Sequence, residues 1–288
     1  MSDTLENLRN KIEGARELGS VVRTMKAVAA SSIGQYETAV VALSDYYRTV
    51  ELGLNACYRQ GASPAGDRSR QAGPQQIDAV VFGSDQGLIG QFNEVLADYV
   101  SATLSAEPGP KTIWAVGQRI SSSLESAGLK PTGLFVVPSS VAAITALVGE
   151  VLIASQEHLQ GRQFGSLFVF HNHPIHSAVY EPFSRRLLPL DRTWRQQIAS
   201  DPWPTGNVPE LIGYVEPALI REYLFISLFQ ACAESLASEN ASRLAAMQRA
   251  EKNIAELLED LTRSFNRQRQ SSIDEELFDV VSGFEALV

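Results

Sequence analysis

LENLRNKIEGARELGSVVRTMKAVAASSIGQYETAVVALSDYYRTVELGLNACYR, residues 5–59, contains no proline and keeps one apolar period from end to end. Leu5, Leu8, Ile12, Ala15, Leu18, Val22, Met25, Ala29, Ile33, Tyr36, Val40, Leu43, Tyr47, Val50, Leu54 and Cys57 follow one another at steps of three or four. That is one face of a helix sustained for about seven heptads, past the three or four that argue for a coiled coil. Gly14, Gly19 and Gly34 each weaken the helix by about 1 kcal/mol relative to alanine, so they are expected where the backbone approaches a partner closely. At 1.5 Å per residue the arm is about 80 Å long.

The far end of the chain repeats the pattern. All 13 prolines lie between Pro64 and Pro217. A proline inside a helix costs about 3 kcal/mol, so both flanks are free to form long helices. Pro217 suits a first helical turn. Beyond it, Leu219, Tyr223, Ile226, Ala233, Ala237, Leu244, Met247, Ile254, Leu258, Leu261 and Phe265 mark a second seam, interrupted by Gln230, Asn240, Glu251 and Gln268. Polar seam residues cost stability and fix register. This arm is about 100 Å long, so one end is expected to project past its mate. Neither arm can bury its own apolar stripe, and a soluble chain avoids exposing one that large. Two arms that flank one central domain pair antiparallel.

The middle reads differently. Residues 61–76, GASPAGDRSRQAGPQQ, form a polar, turn-rich linker. Short apolar runs follow at Ile77–Gly83, Thr112–Gly117, Gly133–Val137 and Ser166–His171, with helical patterns at 90–105, 118–127 and 140–159. Val179–Leu190 adds a further edge strand. Strands alternating with helices imply a mostly parallel sheet covered on both faces. The expected fold class is therefore α/β plus α. Helices in 1–60 and 211–288 form a long antiparallel coiled coil, and a Rossmann-like α/β domain is inserted between them at 61–210.

Composition narrows the function. The 288-residue chain is 44% hydrophobic and carries a net charge of -9, a poor match to nucleic acid, which needs a dominant basic surface. No run approaches the roughly 18 unbroken apolar residues of a membrane span. MSDTLENLRNKIEG has no apolar leader core, so a soluble protein is expected, without direct membrane insertion. Cys57 and Cys232 form no CxxC and are expected as small buried residues in a reducing compartment.

Candidate chemistry is thin. Gly83, Gly87 and Gly90 in GSDQGLIGQFN follow the first strand. Their spacing is not the dinucleotide fingerprint, no GK[ST] follows, and Asp85 would repel phosphate. Three of the four histidines, His171, His173 and His176, cluster in HNHPIH. Imidazoles suit zinc, copper and nickel, but no cysteine accompanies them and the nearest following carboxylate is Glu181. A surface strand end is the expected setting. No nucleophile or metalloprotease signature is present. Catalytic residues, cofactor and metal are all expected to be absent.

The C-terminal tip says more. Arg263, Arg267 and Arg269 make a basic band, an acidic turn follows at Asp274–Glu276, and Leu277, Phe278, Val280, Val281, Phe284, Leu287 and Val288 close the chain. Chain ends are normally polar and frayed, so a greasy helical end calls for a sleeve. A coiled-coil scaffold and a nucleotide-binding protein built on the central domain remain alternatives on these residues alone.

The C-terminal arm, with Ser238, Glu239, Arg243, Ala246, Met247, Phe265, Asn266, Arg269, Gln270, Ile273 and Gly283, resembles the signature of the gamma subunit of F-type ATP synthases. The first arm is similar to that family's first helix at Ile12, Thr24, Met25, Val28, Ala29, Ala30 and Ser31. SDQGLIGQFN resembles its glycine-rich loop, and Leu187–Leu190 and Glu216–Pro217 also match. Asp274, Ile89, Gln91 and Asn240 depart from the usual threonine, cysteine, glycine and histidine, which suggests a divergent bacterial member, coupled to protons or to sodium.

The resemblance implies a non-catalytic central-stalk shaft. It would carry torque between a membrane ion-driven ring, the c-ring, and an alpha–beta hexamer whose beta subunits do the chemistry. It implies an epsilon partner and a peripheral position on the cytoplasmic face of the bacterial inner membrane. It also implies partner contacts. Met25 and Lys26 face an acidic lever loop of beta, and Ser84, Asp85 and Gln86 belong to a loop near the ring. Arg243, Arg269 and Gln270 touch the collar, with Asp274 at a further collar position. The basic band of Arg263, Arg267 and Arg269 suits that collar, since opposite charge sets register and partner choice more than affinity.

Overall fold

The computed structural model describes residues 5–60, 76–158, 165–176, 179–190, 192–204, 208 and 215–285. All of the expected linker at 61–76 except Gln76, the side chain of Phe284, and Leu287 and Val288 lie outside the described residues. Two compact units divide the chain: Ala30–Ser242, and Met1–Ala29 together with Arg243–Val288. Helix α1 (Leu5–Arg59) and helix α6 (Glu216–Glu285) are each continuous, as the absence of interior proline allows.

In the unit Ala30–Ser242, five strands form one sheet: β1 (Ile77–Phe82), β2 (Lys111–Val116), β3 (Gly133–Phe135), β4 (Ser166–His176) and β5 (Val179–Leu188), in the order β3-β2-β1-β4-β5. The first four run parallel and β5 pairs antiparallel with β4. Helices α2 (Phe92–Ser105), α3 (Gln118–Ser126) and α4 (Val141–His158) are the crossovers, and α5 (Arg192–Ser200) precedes α6.

The continuous apolar runs of β1 and β2 reflect burial on both faces. Ala79 and Val81 pack with Ile113, Ala115, Leu96, Val100, Ile120 and Leu124 on the α2–α3 side. Val80 and Phe82 point the other way, with Val116, Val169, Ile144 and Val148, against Leu54 of α1 and Ile226 and Ala233 of α6.

β4 runs five residues beyond the expected end at His171, and α5 lies in a stretch to which the sequence reading assigned no element. Pro174 hid the extension. β1 pairs with β4 only as far as Phe170, so Pro174 sits where β4 has a single neighbour, a place that tolerates a missing donor. Pro182 occupies the edge strand β5 for the same reason.

In the second unit the two helical segments run in opposite directions. Lys26 Nζ meets Glu251 Oε2 at 2.5 Å, and Gly19 lies beside Ile254. Leu8, Ile12, Ala15 and Met247 are buried. From Glu251 on, the half-buried positions are Glu251, Ile254, Leu258, Leu261, Phe265, Gln268 and Ser272, alternating steps of three and four. Glu251 and Gln268 thus belong to the seam they were expected to interrupt. Counting equally back from Lys26 and forward from Glu251 brings Leu5 level with Ser272. From Ile273 to Ser282 every position is exposed.

Two expectations change. Leu18 is 61% exposed and Gly19 takes its place on the buried face, because the step from Ala15 is four rather than three. Gly14 and Gly34 have open space where a Cβ would go, and at Gly19 a Cβ would make only ordinary contact, 3.5 Å from Ile254. Close approach occurs instead at Gly83, where an added Cβ would stand 2.3 Å from Ile120 Cβ. Gly34→Ala is therefore expected to stabilise the protein by about 0.4–1 kcal/mol, and Gly83→Ala to destabilise it by about 1–3 kcal/mol. Urea unfolding of both variants is the measurement. A Gly83→Ala protein as stable as the parent would contradict the packing described.

Candidate functional site

In an open α/β sheet, ligands bind outside the carboxyl ends of the strands, at the point where strand order reverses. Here that point lies between β1 and β4. It is formed by the loop after β1, residues 83–91, and by the end of β4.

The loop is held from within. Ser84 N–H donates to Asn93 Oδ1 (3.1 Å), Asn93 Nδ2 donates to Ser84 Oγ (2.9 Å), and Ser84 Oγ donates to Gln86 O (3.0 Å). Asp85 accepts from two backbone amides, Gln118 N–H at 2.8 Å and Val137 N–H at 2.9 Å. Gln118 is the first residue of α3, so the carboxylate sits at a helix N-terminus, where negative charge is favoured. An external phosphate at that end would meet a site already filled. Gly117, with φ of 118°, would carry a Cβ 2.6 Å from Ser84 O, so only glycine fits against the loop. At the crest stands Leu88, exposed and at φ of 63°, a left-handed conformation that costs a non-glycine residue about 1–2 kcal/mol.

α6 closes the crevice from the other side. Its stretch Ala231–Ser242 is buried without a break. Ser235 Oγ donates to Phe82 O at the end of β1 (3.0 Å), and Ser242 Oγ donates to Ile89 O in the loop (2.7 Å). Glu234 Oε2 receives both His171 Nε2 and His173 Nδ1 at 2.8 Å, while Gln230 Nε2 donates to Oε1 at 2.8 Å. Burial alone would raise the Glu234 carboxyl. The hydrogen bond and charge of His171, then the hydrogen bonds of His173 and Gln230, outweigh it and hold the group down at about 2.

The histidine expectation needs correction. His171 is buried rather than superficial, and its carboxylate partner comes from α6, 63 residues later. The side chain of His176 lies outside those described. The readable signal was an acid, Glu234, in the apolar stretch LFQACAESLA. Cys57 and Cys232 are buried and free, as expected, and burial followed by nearby acid (Glu216 and Glu239 respectively) pushes both thiols up.

The other residues named from the sequence separate into engaged and exposed. Ser84 is fully buried and Asp85 half-buried, whereas Gln86 is exposed. Met25 and Lys26 are half-buried, with Lys26 paired to Glu251. Arg243 is half-buried. Arg263 pairs along its own helix with Glu259 (2.9 Å) and Asp260 (3.2 Å). Arg267, Arg269, Gln270 and Asp274 are exposed.

A family model described as ATP synthase matches residues 4–287. The fold is similar to a chain of the Euglena gracilis mitochondrial ATP synthase rotor in rotational state 1. That match has a TM-score of 0.62 and 18% identity, covering 93% of this chain and 98% of that one. A chain of the Euglena gracilis OSCP/F1/c-ring assembly in rotational state 3 gives a TM-score of 0.62 at 18% identity, with coverages of 98% and 94%. A chain of the Tetrahymena thermophila mitochondrial central stalk/c-ring gives 0.54 at 23% identity, with coverages of 80% and 99%.

Asp85→Ala removes two charged acceptor contacts to backbone amides. It is expected to cost the isolated chain about 1–3 kcal/mol, and Asp85→Asn less, since an amide oxygen still accepts. Denaturant unfolding in the absence of any partner measures it, and an unchanged midpoint for Asp85→Ala would show that the two bonds do not hold the loop.

Proposed function

The chain belongs to the ATP synthase gamma-subunit family, and on that premise we propose that it is the rotating shaft of the enzyme's central stalk, carrying torque between an ion-driven membrane ring and an alpha–beta hexamer. The family is a non-catalytic part of the synthase. In this reading the beta subunits make and break ATP, and this chain drives them through states of different nucleotide affinity.

The observation that carries the reading is the end of α6. Past Ser272, where the seam runs level with the first described residue of α1, the helix continues with Ile273, Leu277, Phe278, Val280 and Val281 exposed, the last four at 47–72%. A stripe of that size on a helix with no mate among the described residues calls for an enclosing partner. A ring of subunits is such an enclosure, and its inner wall would act as an apolar bearing. Beside the bearing, Arg267, Arg269, Gln270 and Asp274 present charge and hydrogen-bonding groups to the collar, together with Arg263 and Arg243.

The seam of α1 and α6 supports an antiparallel coiled coil between the two ends of the chain, 1–60 and 211–288, with 61–210 as the inserted domain. Met25, beside the Lys26–Glu251 pair, would face a lever loop of beta. Gln86 and Leu88, on the crest that Ser84 and Asp85 hold in shape, would meet the membrane ring. Strain at Leu88 fits a contact that needs one fixed loop shape. An epsilon subunit would complete the stalk. No described helix is long and apolar enough to cross a membrane, so the ring would hold the chain at the surface, on the cytoplasmic face in a bacterium.

Reconstitution tests the proposal. The full chain is expected to bind an isolated alpha–beta ring and change its rate of ATP hydrolysis. A chain ending at Ser272 is expected to fold but to lose coupling between hydrolysis and ion transport in the assembled enzyme. A ring that neither binds the full chain nor changes its hydrolysis would overturn the shaft.

A further inference from the structure

His171 and His173 are separated by one residue on β4, so their side chains leave the strand on one face. Glu234 of α6 meets them there, and one ligating atom from each of the three lies within 4.8 Å of the others. We propose that His171 Nε2, His173 Nδ1 and the Glu234 carboxylate form a binding site for a divalent transition-metal ion of the zinc type, which ties β4 to α6.

Two imidazoles and a carboxylate are a donor set that zinc takes with a fourth position left open. Metal–ligand bonds of 2.0–2.1 Å place tetrahedral ligand atoms about 3.3 Å apart. Each histidine nitrogen is now 2.8 Å from Glu234 Oε2, so a small outward rotation of three side chains opens the space for an ion.

The surroundings hold the ligands in position. Gln230 occupies Oε1 of Glu234 and leaves Oε2 toward the histidines, the supporting contact that fixes a ligating carboxylate. The Phe183 ring stands 5.4 Å from the His171 ring and 5.7 Å from the His173 ring, limiting rotation of both. A cavity of about 40 Å³ adjoins His171, enough for one water. His171 Nδ1 is buried and without a partner among the described residues. Such a water would give it the hydrogen bond that a ligating imidazole normally makes through its second nitrogen. His173, 42% exposed, provides the entry path and the open face.

The site lies wholly within Ala30–Ser242 and does not rest on the shaft reading. Because the ion would bind only the folded arrangement, its affinity adds directly to stability. It would lock the sheet to the helix more tightly than hydrogen bonds alone.

The test uses the untagged full chain, stripped with a chelator and titrated with cobalt(II). One ion per chain is expected, with the visible absorption of four- or five-coordinate cobalt, displaced by zinc. Zinc should also raise the unfolding temperature. His173→Ala and Glu234→Gln are each expected to weaken binding by at least about 100-fold, and Gln230→Ala, which removes no ligand, by about 10–100-fold. Lys252→Ala should leave binding unchanged. Gln230→Ala and the half-exposed His173→Ala keep the test decisive if Glu234→Gln does not fold. Absence of the cobalt absorption in the parent chain, or binding that survives both His173→Ala and Gln230→Ala, would overturn the site.

Discussion

A helix sealed on every side is stable only where most of the polar groups it carries find partners. Ala231–Ser242 of α6 is such a helix, and its partners decide the shape of everything at the carboxyl ends of β1 and β4. Ser235 takes the last carbonyl of β1, Ser242 takes a carbonyl of the following loop, and Glu234 gathers two histidines from β4. Asn240 satisfies itself on the Leu236 carbonyl one turn back. The crevice in which related sheet architectures hold a nucleotide is therefore lined by the chain's own helix. A fold suited to ligand binding has its crevice filled from within, by α6.

Much of this was legible because it rests on period and punctuation. Proline-free arms with three-four spacing give long helices wherever a partner exists to bury the stripe, and β1 and β2 declare themselves by being apolar at nearly every position. The strands whose reading fell short are those shaped by neighbours. Pro174 looks like a stop, yet β4 continues because at that depth only β5 is beside it. Leu18 looks like a seam residue, yet a one-position phase choice at Ala15 turns it to solvent and brings Gly19 inward. Spacing specifies a stripe to within one residue, and packing picks the line.

The candidate site was less legible, for a reason of distance along the chain. His171 and His173 are visible in the sequence, but the carboxylate that gives them a role arrives on another element, after β5 and α5. Lys26 and Glu251 stand 225 residues apart and meet because the two arms run in opposite directions. Asp85, suspicious as a repeller of phosphate, turned out to be an internal anion that supplies the charge a helix N-terminus favours. The resemblance pointed to the loop after β1, and the geometry divides that loop into a buried frame of Ser84 and Asn93 and an exposed crest of Gln86 and Leu88.

The two borders of the sheet have a consequence for the chain before it meets other subunits. β3 is three residues long, too short to offer a neighbour a useful row of amides. β5 carries Pro182, which donates nothing, among Glu181, Arg185 and Arg186. An open five-stranded sheet is a template on which another copy could add a strand, and these are the devices that discourage it. A chain that exposes apolar side chains along the far end of α6 is thereby protected at the sheet from polymerising with itself.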